Sequence, residues 1–240
     1  MTVSSAVRVG VRQLFDAESS TFSYLVWEPD SREALLVDPV REHVERDLKL
    51  VEELGLRLVG VIDTHVHADH VTGAGLLRDR CGCRTMSGVG GAPCVDRALA
   101  DGDVIRLGNA SLHVLETRGH TDDSISVVGP NFVFTGDALL VRGCGRTDFQ
   151  NGDAGALYDA ITAKLFTLAP ETIVYPGHDY RGHTQSTIAE ERVHNTRFAG
   201  KTRDAFVTLM GELKLPRPKL LDAAVPANRA CGRERQDADA

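Results

Sequence analysis

Imidazole and carboxylate are the side chains that bind first-row metals without thiols. This sequence crowds three histidines and an aspartate into His65-Val66-His67-Ala68-Asp69-His70. In an extended stretch alternate residues share a face, so His65 and His67 can converge on one point. Asp69 and His70 then turn toward a neighbouring point as the chain enters the next helix. A polar loop with solvated histidines is the bland alternative, but so dense a cluster is costly to leave unpaired. Three further candidates are His120 in Arg118-Gly119-His120-Thr121, Asp137 in Thr135-Gly136-Asp137, and His178 in Tyr175-Pro176-Gly177-His178. Each alone is a loop histidine or a turn aspartate. Together with the first cluster they form one pattern.

The segments ahead of these residues read as strands. Residues 58–62 are short, apolar and β-branched, as a buried strand would be, and lead directly into the histidine cluster. A hairpin around Gly129-Pro130-Asn131 enters a strand at 132–135, ahead of Asp137, and a strand at 172–175 delivers His178. Further strands are expected at 22–27 and 34–37, and a hairpin of 104–107 with 112–115 turns at Gly108-Asn109. Helices are expected at 41–54, where Val44, Leu48, Val51 and Leu54 recur at helical spacing, with Gly55 as C-cap. Others are expected around Leu76 and Leu77, from Leu157 to Leu168, and at 187–198 and 202–213. The stretch Pro216 to Pro218 ends the regular pattern. With no internal repeat or linker, these elements predict one layered α/β domain over 1–231, its site at strand termini, and a solvated, disordered tail at 232–240.

The 240 residues are 42 % hydrophobic and 25 % charged, the composition of an ordinary globular protein with a substantial core. A net charge of −7 argues against nucleic acid, whose backbone needs a basic footprint. No apolar run approaches the roughly 20 residues of a membrane span. Residues 1–10 lack an apolar signal run, and Arg8 and Arg12 are too few for a transit peptide, so the cytoplasm is the expected compartment. Five cysteines, odd in number and irregular in spacing, predict no disulfide framework. Cys81 and Cys83 read as two unpaired thiols at a helix end.

The set His65, His67, Asp69, His70, His120, Asp137 and His178 resembles the full metal-binding set of the metallo-β-lactamase superfamily, which implies an αββα sandwich. That set does not separate hydrolase from oxygenase. Thr135 to Gln150, with Gly143-Cys144-Gly145-Arg146-Thr147-Asp148-Phe149 at its centre, resembles the persulfide dioxygenase family in particular. So do Arg12-Gln13-Leu14-Phe15, residues 21–25, Ile62-Asp63-Thr64, residues 175–180 and Val225-Pro226-Ala227-Asn228. The resemblance runs from about Arg12 to Cys231. It implies one iron(II) per chain held by His65, His120 and Asp137, a facial triad that leaves positions open for substrate and oxygen. His67, Asp69, His70 and His178 would then orient ligands and hold protons. Arg146 and Tyr180 match residues that contact glutathione, and Arg142 would add positive potential. Cys231 matches a family cysteine near the active site, although a free thiol without a role is the expectation here. Where family members often carry proline after the Gly-His-Thr step, this chain has Asp122-Asp123-Ser124. Two carboxylates so close to His120 would bias its metal affinity.

The activity so implied is oxidation of glutathione persulfide by dioxygen and water to sulfite and glutathione. Family members are often dimers, which extends the expectation of a homodimer to this chain. Two other readings remain open at this level. One is a dinuclear zinc thioesterase resembling glyoxalase II, favoured by the presence of all seven ligands. The other is a non-catalytic thiol or metal sensor, which would have little reason to keep the set intact.

Overall fold

Six strands lie side by side in chain order in the computed structural model, which describes residues 8–233. They are β1 (Gly10–Asp16), β2 (Thr21–Trp27), β3 (Glu33–Val37), β4 (Arg57–Asp63), β5 (Arg84–Gly88) and β6 (Arg97–Leu99). The first three pair antiparallel; from β3 onward the pairing is parallel. Parallel neighbours require crossovers, and α1 (Val44–Glu53) and α2 (Ala74–Cys81) supply two of them. A second sheet holds β7 (Val104–Leu107), β8 (Ala110–Glu116), β9 (Ile125–Val128), β10 (Phe132–Gly136), β11 (Ile173–Pro176) and β12 (Ser186–Thr187) in reverse order. Its one parallel pair, β10 with β11, is bridged by α3 (Ala154–Ala163). Then come α4 (Ile188–His194), α5 (Arg203–Gly211) and α6 (Leu221–Asn228).

Alternation along the strands builds the layers. Tyr24, Val26, Leu35, Val37 and Ile62 face inward and join Leu112, Val114, Val127, Phe132 and Phe134 of the second sheet in one core. Their neighbours Leu25, Ala34, Leu36 and Val61 face outward and pack on Val44 and Val51 of α1 and Leu77 of α2. Val133 and Val174 likewise face outward, against Leu157, Ile161, Ile188, Phe206 and Met210. Both faces of both sheets are therefore apolar, and each sheet carries helices on its outside. This is the expected αββα sandwich. The helices of the second outer layer start at side-chain caps: Asp153 accepts from Ala156 N, Thr187 from Glu190 N and Thr202 from Ala205 N. Such caps contribute about 1 kcal/mol each.

Besides the unexpected strands β1, β5 and β6, the structure departs from the sequence expectations toward the C-terminal end. Regular structure does not end at Pro216 to Pro218, because α6 follows and carries Pro226 inside it. Cys94 and Cys231, 137 residues apart, form a disulfide, so Cys231 is not a free thiol and the chain is not without disulfides. Gly232 is buried and Arg233 pairs with Asp79, so packing continues past residue 231. The rest of the expected tail lies outside the described residues. Among the described residues no helix is long and apolar enough to cross a membrane.

Candidate metal centre

Parallel pairing brings the ends of strands to one edge. β3 runs beside β4, and Asp38 N donates to Ile62 O at 2.8 Å, placing Asp38 against the start of the histidine loop. β10 runs beside β11, and Gly177 N donates to Gly136 O at 2.8 Å, placing Asp137 against His178. The two sheets then join at the same edge through Ile125 N to Thr64 O and Phe22 N to Gly177 O. Gly136 turns the chain here with φ +48°, where a side chain would strike Thr64 Oγ1.

His65, His120 and Asp137 converge: one ligand atom from each lies within 4.8 Å of the others. Their hydrogen bonds decide which nitrogens face inward. The Thr64 hydroxyl donates to Asp38 Oδ2 at 2.8 Å, so its oxygen is left to accept from His65 Nδ1 at 3.1 Å. His120 Nδ1 donates to Arg146 O at 2.7 Å. Both rings thus keep Nε2 bare as a ligand. Burial, and then the neighbouring His67 and His120, push the pKa of His65 well below the ordinary value, so the ring is neutral. Burial would raise the Asp137 pKa, but His178, His120 and His65 hold it well below the usual range. Two imidazoles with Nε2 turned inward and a carboxylate suit a divalent first-row metal, and the residues fit one.

His67, Asp69 and His70 form an adjoining group with ligand atoms equally close. His67 Nε2 donates to Asp38 Oδ1 at 3.1 Å. Asp69 Oδ2 accepts from Thr21 Oγ1 at 2.8 Å, His70 Nδ1 at 2.9 Å and His178 Nε2 at 2.9 Å. Nδ1 of His67 and Nε2 of His70 are buried without a hydrogen-bond partner, a costly state that marks both as facing a ligand. Burial opposes the charge on His67, yet Asp38 and Asp69 bring its pKa up to about 9. Burial, followed by the charge on His67, lowers the pKa of His70. Burial also opposes charge on His178, but Asp137 and Asp69, one at each nitrogen, hold its pKa well above the ordinary value.

The Gly-Cys-Gly-Arg block explains itself as a brace. Gly145 N donates to Asp137 O at 2.7 Å, and a Cβ on Gly145 would stand 2.6 Å from His120 Nδ1. Gln150 Nε2 donates to Val66 O at 2.7 Å. The Arg146 guanidinium is engaged by Asp148 at 2.6 and 2.8 Å and by Pro216 O at 2.6 Å, while its carbonyl holds His120. Tyr180 is 72 % exposed and lies parallel to the His178 ring, centroids 6.0 Å apart.

Arg142, Cys144 and the two extra carboxylates have partners of their own. Arg142 is committed to Glu190 and to the buried Glu191, a structural ion pair that ties the loop after β10 to α4. Cys144 packs with its Sγ 3.9 Å from Met210 Sδ, and burial pushes its pKa up to about 12. Neither extra carboxylate is spent on His120: Asp123 accepts from Val66 N at 2.9 Å, and Asp122 pairs with Asn151. Sequence reasoning missed Thr21, Asp38 and Asn228 as parts of the site. The signals were Asp38 at a predicted strand end, and Thr21 and Asn228 inside resembling segments.

Residues 17–93 and 95–178 match the sequence profile of the Metallo-beta-lactamase superfamily. The human mitochondrial persulfide dioxygenase ETHE1 is 47 % identical over 232 residues, covering 95 % of this chain and 91 % of that protein. The crystal structure of ETHE1 from Myxococcus xanthus superposes with a TM-score of 0.92 at 58 % identity, covering 93 % of this chain and all of that one. A metallo-beta-lactamase from Staphylococcus aureus shares the fold at a TM-score of 0.85 and 24 % identity, over 93 % of this chain and 72 % of that one.

Proposed function

The chain belongs to the persulfide dioxygenase family of the metallo-β-lactamase superfamily, and on that premise we propose that it oxidises glutathione persulfide at a single iron(II) held by His65, His120 and Asp137. The observation that carries this reading is the convergence of those three side chains beside a Gly-Cys-Gly-Arg block that resembles the family's. Glutathione persulfide, dioxygen and water give glutathione, sulfite and two protons. Bound iron(II) would supply the open positions and the electron exchange that bring the terminal sulfur and dioxygen together.

The protein's part is positioning and proton handling. His70 donates through Nδ1 to Asp69, which leaves its buried Nε2 with a lone pair to take a proton from the water that releases sulfite. His67 is protonated below about pH 9 and has no acceptor at Nδ1, so it can donate to a sulfur or oxygen anion there. His178 lies between Asp137 and Asp69 and orients the ligand carboxylate. Arg146 offers a planar fork to a glutathione carboxylate if Asp148, which is exposed, gives way. Tyr180 offers an exposed ring parallel to that of His178. The shared inter-sheet core supports reading the chain as one catalytic domain. A homodimer belongs to the same proposal by family likeness.

Oxygen uptake by anaerobically iron-loaded protein tests this reading: uptake on adding glutathione persulfide, with sulfite formed in equal amount, is expected. The adjoining group of His67, Asp69 and His70 favours a second reading, in which two metals serve a thioesterase. Two zinc ions in the active chain, with hydrolysis of acyl-glutathione and no oxygen uptake, would establish it instead.

A further inference from the structure

The histidine loop is held from the far end of the chain. Asn228, on α6, is buried, and its side chain makes three hydrogen bonds to that loop. Its Nδ2 donates to His67 O at 2.9 Å and to His70 O at 2.8 Å, and its Oδ1 accepts from Thr72 N at 2.8 Å. A carboxamide is the short side chain that presents two donors and an acceptor on one rigid plane. Both carbonyls belong to the residues whose ring nitrogens are buried without partners. A ring's aim is set by its backbone, so fixing these carbonyls fixes where His67 Nδ1 and His70 Nε2 point.

The helix carrying Asn228 is itself fastened at that point. Gly75 N donates to Cys231 O at 2.9 Å, and a Cβ on Gly232 would stand 1.9 Å from Thr72 O, so the backbones are in contact. The Cys94–Cys231 disulfide and the Arg233–Asp79 ion pair complete the attachment. The iron ligands are braced from elsewhere: His65 by Thr64, His120 by Arg146 O and Asp137 by His178.

The geometry points to Asn228 as a positioning residue that aims His67 and His70 without holding the metal. The inference rests on the metal assignment proposed above. Asp38 and His178 touch both groups, but the side-chain hydrogen bonds of Asn228 on α6 reach only the histidine loop at His67, His70 and Thr72.

The test compares Asn228→Ala and Asn228→Asp with Asp137→Ala. In folded Asn228→Ala, iron is expected to stay near one per chain and KM for glutathione persulfide to change little, while kcat falls about 10–100-fold. Asn228→Asp puts an acceptor oxygen where Nδ2 donated to the two carbonyls, so its kcat at pH 8.5 should be as low and should recover toward pH 5.5, where the protonated carboxyl donates to one of them. A residue that merely stabilised the fold would lower Tm without creating that pH limb. Normal kcat in both folded variants, or loss of iron in both, overturns the inference. If Asp137→Ala keeps its iron, it is the metal assignment that fails, and the two failures are told apart. Should the variants not fold, ring ¹⁵N spectra of the metal-free wild-type protein decide the matter. His70 must be held as the single Nδ1–H tautomer, and averaging between tautomers overturns the inference.

Discussion

Asp137 Oδ1 lies 2.6 Å from Nδ1 of His178, while its Oδ2 is 3.6 Å from Nε2 of His120. One carboxylate therefore faces a charged imidazolium on one side and the imidazole of a proposed ligand on the other. Asp137→Ala leaves two neutral imidazoles, too weak a site for a metal low in the affinity order, so iron binding and oxygen uptake should vanish together. His178→Ala removes only the orienting partner and should lower turnover about 10–100-fold with iron largely retained. Iron stoichiometry and persulfide-dependent oxygen uptake, measured side by side, check this. Equal loss of metal in both variants would favour a bridged two-metal centre.

Arg146→Lys keeps the charge and loses the fork. KM for glutathione persulfide should rise about tenfold or more, the scale of one charge-assisted hydrogen bond, with normal iron content. Steady-state kinetics read it, and unchanged KM would remove Arg146 from substrate binding.

Thiol chemistry should distinguish the five cysteines. Cys81 is exposed, whereas burial pushes Cys83 up to about 11 and Cys144 up to about 12. At pH 8 in the native chain, iodoacetamide should label Cys81 first and spare the other two. Cys94 and Cys231 should label only after reduction. Labelling of either without reductant would rule out the disulfide. Replacing both by serine reopens a 137-residue loop and should lower stability by up to ~5 kcal/mol on the chain-entropy scale.

Metal-free protein should lose stability on the alkaline side. His67 has its folded pKa raised from 6.5 to about 9. Its contribution is fully present below pH 6.5 and is lost as pH rises through about 9. Thermal unfolding of the apo-protein should therefore show a lower Tm at pH 9.5 than at pH 6.5. A Tm that is flat or rising across that window would contradict the charged state assigned to His67.

The strands and helices with one-faced or fully apolar patterns were legible in the sequence: β2, β3, β4, β10, β11 and α1 lie where periodicity puts them, while α3 starts and ends earlier than the expected Leu157 to Leu168. β1 escaped because most of its residues are only partly buried, which blurs alternation. α6 escaped because Pro226 reads as a breaker and Pro216 to Pro218 as an end. The candidate ligands were visible as a group because imidazole and carboxylate are clustered in the sequence. Asp38 and Asn228 were not, since an aspartate before proline and an asparagine near a chain end have ordinary explanations. The disulfide joins residues too distant for spacing to suggest, and it counts against the cytoplasm as compartment.

The clasp between α6 and the histidine loop also sets an order in time. His70 and Asn228 are 158 residues apart. At ribosomal speeds of about 5–20 residues per second, the loop waits roughly ten to thirty seconds after its own synthesis for the residue that fixes it. During that interval His65, His120 and Asp137 emerge first and can gather a metal, while His67 and His70 still lack their backbone partner. On the assignment proposed above, a nascent chain would hold its three candidate ligands before Asn228 can fix His67 and His70, and full turnover would wait for α6 to dock.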